Sequence, residues 1–343
     1  MSNDSKYAAS KEMKQLFPAF FIVGAPRSGT TLLASLLDRH SNIAIGPESQ
    51  FYTQFIPWNW ADRTPRTYEE FVDSALAFKR IADFGLDRDQ LLRHFKLYEL
   101  SFANLLRAII EVYAIDRSKR RPGEKSPLHL EHVPVILDQF PGSKVIYILR
   151  DGRDVVRSLL DVPWAAARNP RRFQRFCMRW NDAIEAMIRY EKTLPADRFM
   201  IVKFEDLLGR PKSELEKICS FIGEEFEPTQ LEPVRGSSAV PEWEKEWKGK
   251  AAETLDAARI QAWRKSSDQQ QIWIMNSMMG NMLERAGYSD TKLDGCPPLM
   301  RVKLFIQKIP YQKKVRKFSS LSLKLLKKLN LAKWQVPPEE RHA

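Results

Sequence analysis

The chain has 343 residues, 43% of them apolar and 29% charged, the balance of an ordinary globular protein long enough for one large α/β domain. Its three cysteines (Cys177, Cys219 and Cys296) are odd in number and lack metal spacing, which argues against a disulfide framework or a zinc site. The net charge of +12 sits almost wholly in eleven lysines and arginines between Leu299 and Pro338, where no acid occurs; the nearly neutral body is no general polyanion binder, and no specific nucleic acid is expected.

Residues 1–17 read as a polar lead-in without a signal-peptide core, so the default expectation is a cytoplasmic, reducing compartment. Phe20-Phe-Ile-Val23 is apolar and partly β-branched, a strand buried on both faces. Gly24 to Gly29 is a turn with two glycines and a proline. From Thr30 onward Leu32, Leu33, Leu36 and Leu37 recur at helical spacing. A glycine-bearing loop between a strand and a helix is an anion cradle. First-turn N–H groups have no intrahelical partner, and the helix dipole adds about half a positive charge there. The loop has the Walker A outline, but Thr30 stands where the lysine belongs and the cation sits inside the loop as Arg27. A ligand-free turn is the bland alternative, and Arg27, Ser28, Gly29, Thr30 and Thr31 together speak against it.

Asn42 to Ser49 is a short apolar stretch ending in a turn, with Glu48 at its exit. Residues 51–120 mix helical patterns with aromatics such as Phe51, Tyr52 and Phe55, and read as a helical insertion or lid over the sheet's C-terminal edge. Gly123-Glu-Lys-Ser-Pro-Leu-His129 is a polar patch. Lys144–Leu149 is a second strand, turning through Arg150-Asp-Gly-Arg-Asp154 into a helix over Val155–Leu160. A long helix covers 170–193, and Phe199–Phe204 is a third strand followed by a helical segment through Cys219. The loop Val234-Arg-Gly-Ser-Ser238 precedes helices near 258–265 and 272–286, the last ended by Gly287. Strands alternating with helices predict a P-loop-like, doubly wound parallel sheet flanked by helices. The expected layout is a lead-in (1–17), one domain (18–295) and a basic amphipathic tail (296–343). Within the tail, Ser319–Trp334 places leucines on one helical face with lysines between them. That pattern suits an anionic membrane surface, with docking on the protein's own body or a partner, or a plain solvated tail, as alternatives.

With these stretches placed, the chain resembles the sulfotransferases that use 3′-phosphoadenosine 5′-phosphosulfate (PAPS), closer to their tyrosylprotein and bacterial branch than to the small-molecule branch. Ala25-Pro-Arg-Ser-Gly-Thr-Thr31 is similar to that branch's 5′-phosphosulfate loop. Arg150-Asp-Gly-Arg-Asp-Val-Val-Arg-Ser158 is similar to its 3′-phosphate site, in which an arginine ending a strand and a serine on the next helix hold the phosphate. The resemblance covers about residues 18–290. It implies PAPS as co-substrate and sulfuryl transfer to a hydroxyl or amine, with no metal. Residues 27–31, Arg150 and Ser158 would bind the nucleotide, and Arg235, Ser237 and Ser238 would close over it. Gly46-Pro-Glu48 resembles the Gly-x-Glu whose glutamate is the base, and Lys125 the lysine of an Asn-Lys-x-Pro stretch that faces the leaving group, work that Arg27 would share. Glu124 and His129 are reserve candidates for the base. Gln50 stands where that branch has an arginine that fixes acidic peptides, and Phe204 where a tyrosine lies near the adenine.

PAPS carries anionic groups at both ends, and an arginine fork suits a phosphate. In-line transfer needs positioning, charge neutralisation and a base, for which a carboxylate in a partly dry pocket serves. For Arg150 the alternative is a salt bridge to Asp151 or Asp154, and for Glu48 a solvated turn position. The acceptor, whether carbohydrate, lipid-linked, small molecule or peptide, is left open. A P-loop kinase or NTPase, or a non-catalytic nucleotide-binding protein, is the rival reading.

Overall fold

Among the described residues five strands, numbered β1 to β5 in chain order, form one sheet, all parallel, in the order β2-β3-β1-β4-β5. The computed structural model describes residues 16–58, 65–162, 172–232, 243 and 255–304. The strands are β1 (Phe20–Gly24), β2 (Ile43–Ile45), β3 (Arg121–Lys125), β4 (Lys144–Leu149) and β5 (Phe199–Lys203). Around them lie α1 (Thr30–Asp38), α2 (Tyr68–Ala77), α3 (Arg88–Phe95), α4 (Phe102–Ile115), α5 (Val133–Gln139), α6 (Gly152–Leu160), α7 (Arg172–Thr193), α8 (Pro211–Ile222) and α9 (Gln269–Arg285), with short helical turns between.

Period-two alternation sorts the strand side chains between two cores. Phe21, Val23, Val145, Tyr147 and Leu149 face one side, with residues of α4, α5, α6, α7 and α9. Phe20, Ile22, Ile146 and Ile148 face the other, against α1 and α8. Helices therefore cover both faces, as a doubly wound sheet requires. β1 is central, and the chain leaves it toward β2 on one side and reaches β4 on the other. The C-terminal ends of β1, β3 and β4 thus open on the crevice where such sheets bind ligands.

Two expectations change. The polar patch at 123–129 begins inside a strand, β3 (Arg121–Lys125), although that strand holds Pro122, Gly123 and three charged residues. Arg121 N donates to Asn42 O on the β2 side, so Pro122 points its missing donor toward β1, whose ladder starts only at the Phe20–Gly123 pair. Each buried charge has a partner: Arg121 pairs with Glu224 at 2.7 Å and Lys125 with Glu48 at 3.0 Å, while Glu124 accepts three hydrogen bonds. The second change concerns the insertion over 51–120. Its last helix, α4, packs on β2 and β3 as the crossover helix between them, so only part of the segment sits toward the sheet's C-terminal edge. Phe51, Tyr52 and Phe55 are fully buried and serve packing.

Candidate active site

The loop after β1 is shaped by sterics. Gly29 is the N-cap of α1 with φ 105°, and a Cβ there would lie 2.3 Å from Cδ2 of Phe204. Glycine lets the backbone press against that ring and leaves the helix N-terminus open. No side chain caps α1, and no acidic residue lies in its first turn. Arg27 is held at φ 71°, a conformation uncommon outside glycine. Thr30 is buried and Thr31 half-buried at the helix start. Ser28 Oγ is buried with no hydrogen-bond partner.

Arg150 leaves the end of β4 and reaches the same loop. Its Nη1 donates to the backbone oxygen of Arg27 at 3.1 Å and its Nη2 to that of Arg259 at 3.0 Å. Its Nε is buried without a partner. The guanidinium lies 4.4 Å over the Phe204 ring, which is 2% exposed, so Phe204 supports the two arms of the site and its face is already taken. Asp151 pairs instead with Arg153 at 2.7 Å, and Asp154 accepts the N–H groups of Gln261 and Trp263 at 3.0 and 2.8 Å. Trp180 Nε1 donates to Arg150 O at 3.1 Å and fixes the turn. On α6, Ser158 Oγ accepts from Arg27 Nε at 3.0 Å. The two anion cradles are therefore contiguous.

The electrostatics asks for an anion. Burial first, then the charges of Arg150 and Arg259, lower the Arg27 pKa below its usual value, and Glu48 and Asp161 offset this in part. Burial likewise lowers the pKa of Arg150 against the pull of Asp154 and Glu205. Arginine does not lose its proton in proteins, so the depression measures an unfavourable field that a bound anion relieves. Burial also pushes the Asp154 carboxyl up to about 6, against the favourable charge of Arg150. Arg259 is the third cation here, and sequence reasoning did not single it out. Its only signal is an arginine shortly after the polar loop at 234–238. Arg235, Ser237 and Ser238 themselves lie outside the described residues.

On the other flank, Glu48 follows β2 and is 6% exposed, which excludes a solvated turn position. Its Oε2 lies 3.0 Å from Nζ of the fully buried Lys125, and its Oε1 accepts from Gln50 Nε2. Lys125, expected at the leaving group, thus meets the carboxylate directly. Glu48 is close enough to Arg27 to act on its charge, which ties this pair to the loop. The reserve candidates Glu124 and His129 are fully enclosed and bonded to each other at 2.9 Å. Burial would raise the Glu124 pKa, but His129 and the hydroxyls of Ser126 and Ser49 outweigh it and hold it low. Among the described residues no group of three or more His, Cys, Asp or Glu side chains is placed to hold a metal ion.

The site thus sets two contiguous arginine-bearing loops at the central crevice of a parallel sheet, with a carboxylate–lysine pair beside them. Residues 18–228 match the family model described as "Sulfotransferase family", and the chain belongs to that family. It is 28% identical over 221 residues to a protein-tyrosine sulfotransferase of Drosophila melanogaster and 31% over 232 residues to protein-tyrosine sulfotransferase 2 of Gallus gallus. Those alignments cover 64% and 67% of this chain but 40% and 56% of the relatives, so the chain spans about half their length. The fold is similar to the sulfotransferase domain of the curacin biosynthetic pathway, with a TM-score of 0.58 at 21% identity over 80% of this chain and 99% of that one. The corresponding domain of the Synechococcus PCC 7002 olefin synthase gives 0.56 at 21% identity, over 81% and 97%.

Proposed function

We propose that the protein transfers a sulfuryl group from PAPS to a hydroxyl or amine of an acceptor. The observation that carries this reading is the bond from Arg150 Nη1 to Arg27 O at 3.1 Å, which sets both cradles around one crevice. The residues fit such a nucleotide: Ser28 Oγ and Arg150 Nε are buried donors without partners, and the N-terminus of α1 is uncapped. Bound PAPS supplies an activated sulfuryl group on a phosphate leaving group. Residues Arg27 to Thr31 hold its 5′ end, and Arg150 and Ser158 hold its 3′-phosphate, with Arg259 adding charge. Glu48 takes the proton of the acceptor, and Lys125 and Arg27 neutralise charge that builds on the leaving oxygen. The relatives' name points to peptide tyrosine. Gln50 replaces the arginine expected for acidic peptides, and its side chain is bonded to Glu48, so the acceptor we propose is not an acidic peptide. Purified protein incubated with radiolabelled PAPS and a panel of carbohydrate, lipid-linked, small-molecule and peptide acceptors should yield a labelled product. No labelled product from any class would count against the reading.

We also propose that the protein works at the face of an anionic membrane through its basic tail. No helix among the described residues is long and apolar enough to cross a membrane. Support comes from helical residues 298–304, where Leu299 and Val302 are 86% and 57% exposed beside Arg301 and Lys303; the tail beyond, including Ser319–Trp334, lies outside the described residues. Full-length protein should co-sediment with anionic liposomes, and a chain ending near Gly295, which lacks both the 298–304 helix and the basic tail, should not. Equal sedimentation of the two removes the idea.

A further inference from the structure

The turn that carries Glu48 is tied to β3 by a second, deeper layer of buried groups. Gln50 has φ 51° and caps the helical turn Phe51–Phe55. The first three backbone N–H groups there each meet a side-chain acceptor. Gln50 N donates to Ser126 Oγ at 2.9 Å, Phe51 N to Ser49 Oγ at 3.3 Å and Tyr52 N to His129 Nε2 at 3.2 Å. Those three acceptors pass their own hydrogens to one carboxylate. Glu124 Oε1 receives Ser49 Oγ and Ser126 Oγ, both at 2.6 Å, and Oε2 receives His129 Nδ1 at 2.9 Å. A backbone N–H can only donate, so His129 Nε2 is the acceptor and Nδ1 carries the proton.

A carboxylate buried this deeply is costly unless hydrogen bonds compensate it, and here three do. A packed apolar group would fill the same space at less risk. What the network secures is relative position, because Ser49 adjoins Glu48 while Glu124 and Ser126 flank Lys125 in the chain. We propose that Glu124 is a positioning residue for the Glu48–Lys125 pair, acting through Ser49, Ser126 and His129. The inference rests on the transferase reading given above, and it assigns Glu124 and His129 no contact with substrate.

Glu124→Gln in the full-length protein tests it. The amide oxygen can still accept both hydroxyls, but the amide N–H₂ faces His129 Nδ1. That drives the imidazole proton to Nε2, where it opposes Tyr52 N–H. The expected result is a loss of about 10–100-fold in kcat, as misplacement of a reacting group by about 1 Å produces, with adenosine 3′,5′-bisphosphate binding unchanged. In a Glu48→Ala background the same substitution should cost less, since the part of its effect that passes through Glu48 is already gone. Imidazole ¹⁵N spectra should show the His129 proton on Nδ1 in the wild type and on Nε2 in the variant. An unchanged kcat, or an equal loss in the Glu48→Ala background, overturns the proposal. If Glu124→Gln does not fold, Ser126→Ala carries the same test with a smaller loss. Should the wild-type chain transfer nothing, the transferase reading fails by itself. A crystal structure of the variant then decides the positioning: a widened Glu48–Lys125 contact supports it and an unchanged one overturns it.

Discussion

Glu48→Ala should lower transfer by about 10²–10⁴-fold, the usual contribution of a general base, while adenosine 3′,5′-bisphosphate still binds. The reason lies in placement. Glu48 sits at the C-terminal end of the sheet just after β2, nearly dry, with Oε2 3.0 Å from Lys125 Nζ. Its charge acts on Arg27 in the loop after β1, so an acceptor held between them would be close to both the proposed base and the proposed anion site. The nucleotide contacts we propose come from Arg27, Arg150 and the N-terminus of α1 rather than from Glu48. Alanine also removes the carboxylate paired with the buried Lys125, and breaking a buried pair typically costs about 3–5 kcal/mol, so the melting temperature should fall as well. Glu48→Gln keeps the size of the side chain and a hydrogen-bond acceptor beside Lys125 while removing the proton acceptor and its charge, so its melting temperature should fall less than that of the alanine variant. Turnover at saturating PAPS is the measurement. Full activity in Glu48→Gln would move the base elsewhere.

Arg150→Ala should weaken adenosine 3′,5′-bisphosphate by about 100-fold or more, the scale of one or two hydrogen bonds to a charged group. One guanidinium here does three things. Two of its nitrogens bind the carbonyls of Arg27 and Arg259, its face covers Phe204, and its Nε is left without a partner. Lysine cannot reproduce this, because a single ammonium has no planar fork to reach two carbonyls and an anion together. Arg150→Lys should therefore resemble Arg150→Ala in calorimetric titration. Near wild-type affinity in either variant would place the 3′-phosphate elsewhere.

The legible part of the fold lies where apolar character and periodicity agree. Phe20–Gly24, Lys144–Leu149 and Phe199–Lys203 are apolar runs buried in a parallel sheet, and each was readable as a strand. β3 was not. Its charges and its proline contradict strand propensity, and only partners distant in sequence (Glu48, Ser49 and Glu224) make it tolerable in the sheet. The site divides in the same way. Arg27 through Thr31 and Arg150 stand in local motifs that announce an anion site. Arg259 and the enclosure of Glu124 and His129 depend on how separate segments pack, for which the chain carries no local signal. For Phe204 the resemblance implies a place near the adenine, while its burial under Arg150 has no local signal in the chain.

Calorimetric titration of the wild-type, Arg27→Ala and Arg150→Ala proteins with adenosine 3′,5′-bisphosphate and with Mg-ATP tests the central claim most directly. One molecule of the bisphosphate should bind the wild type more tightly than ATP, and each substitution should remove most of that affinity. Tighter binding of ATP, or bisphosphate binding that needs only one of the two arginines, would contradict the account.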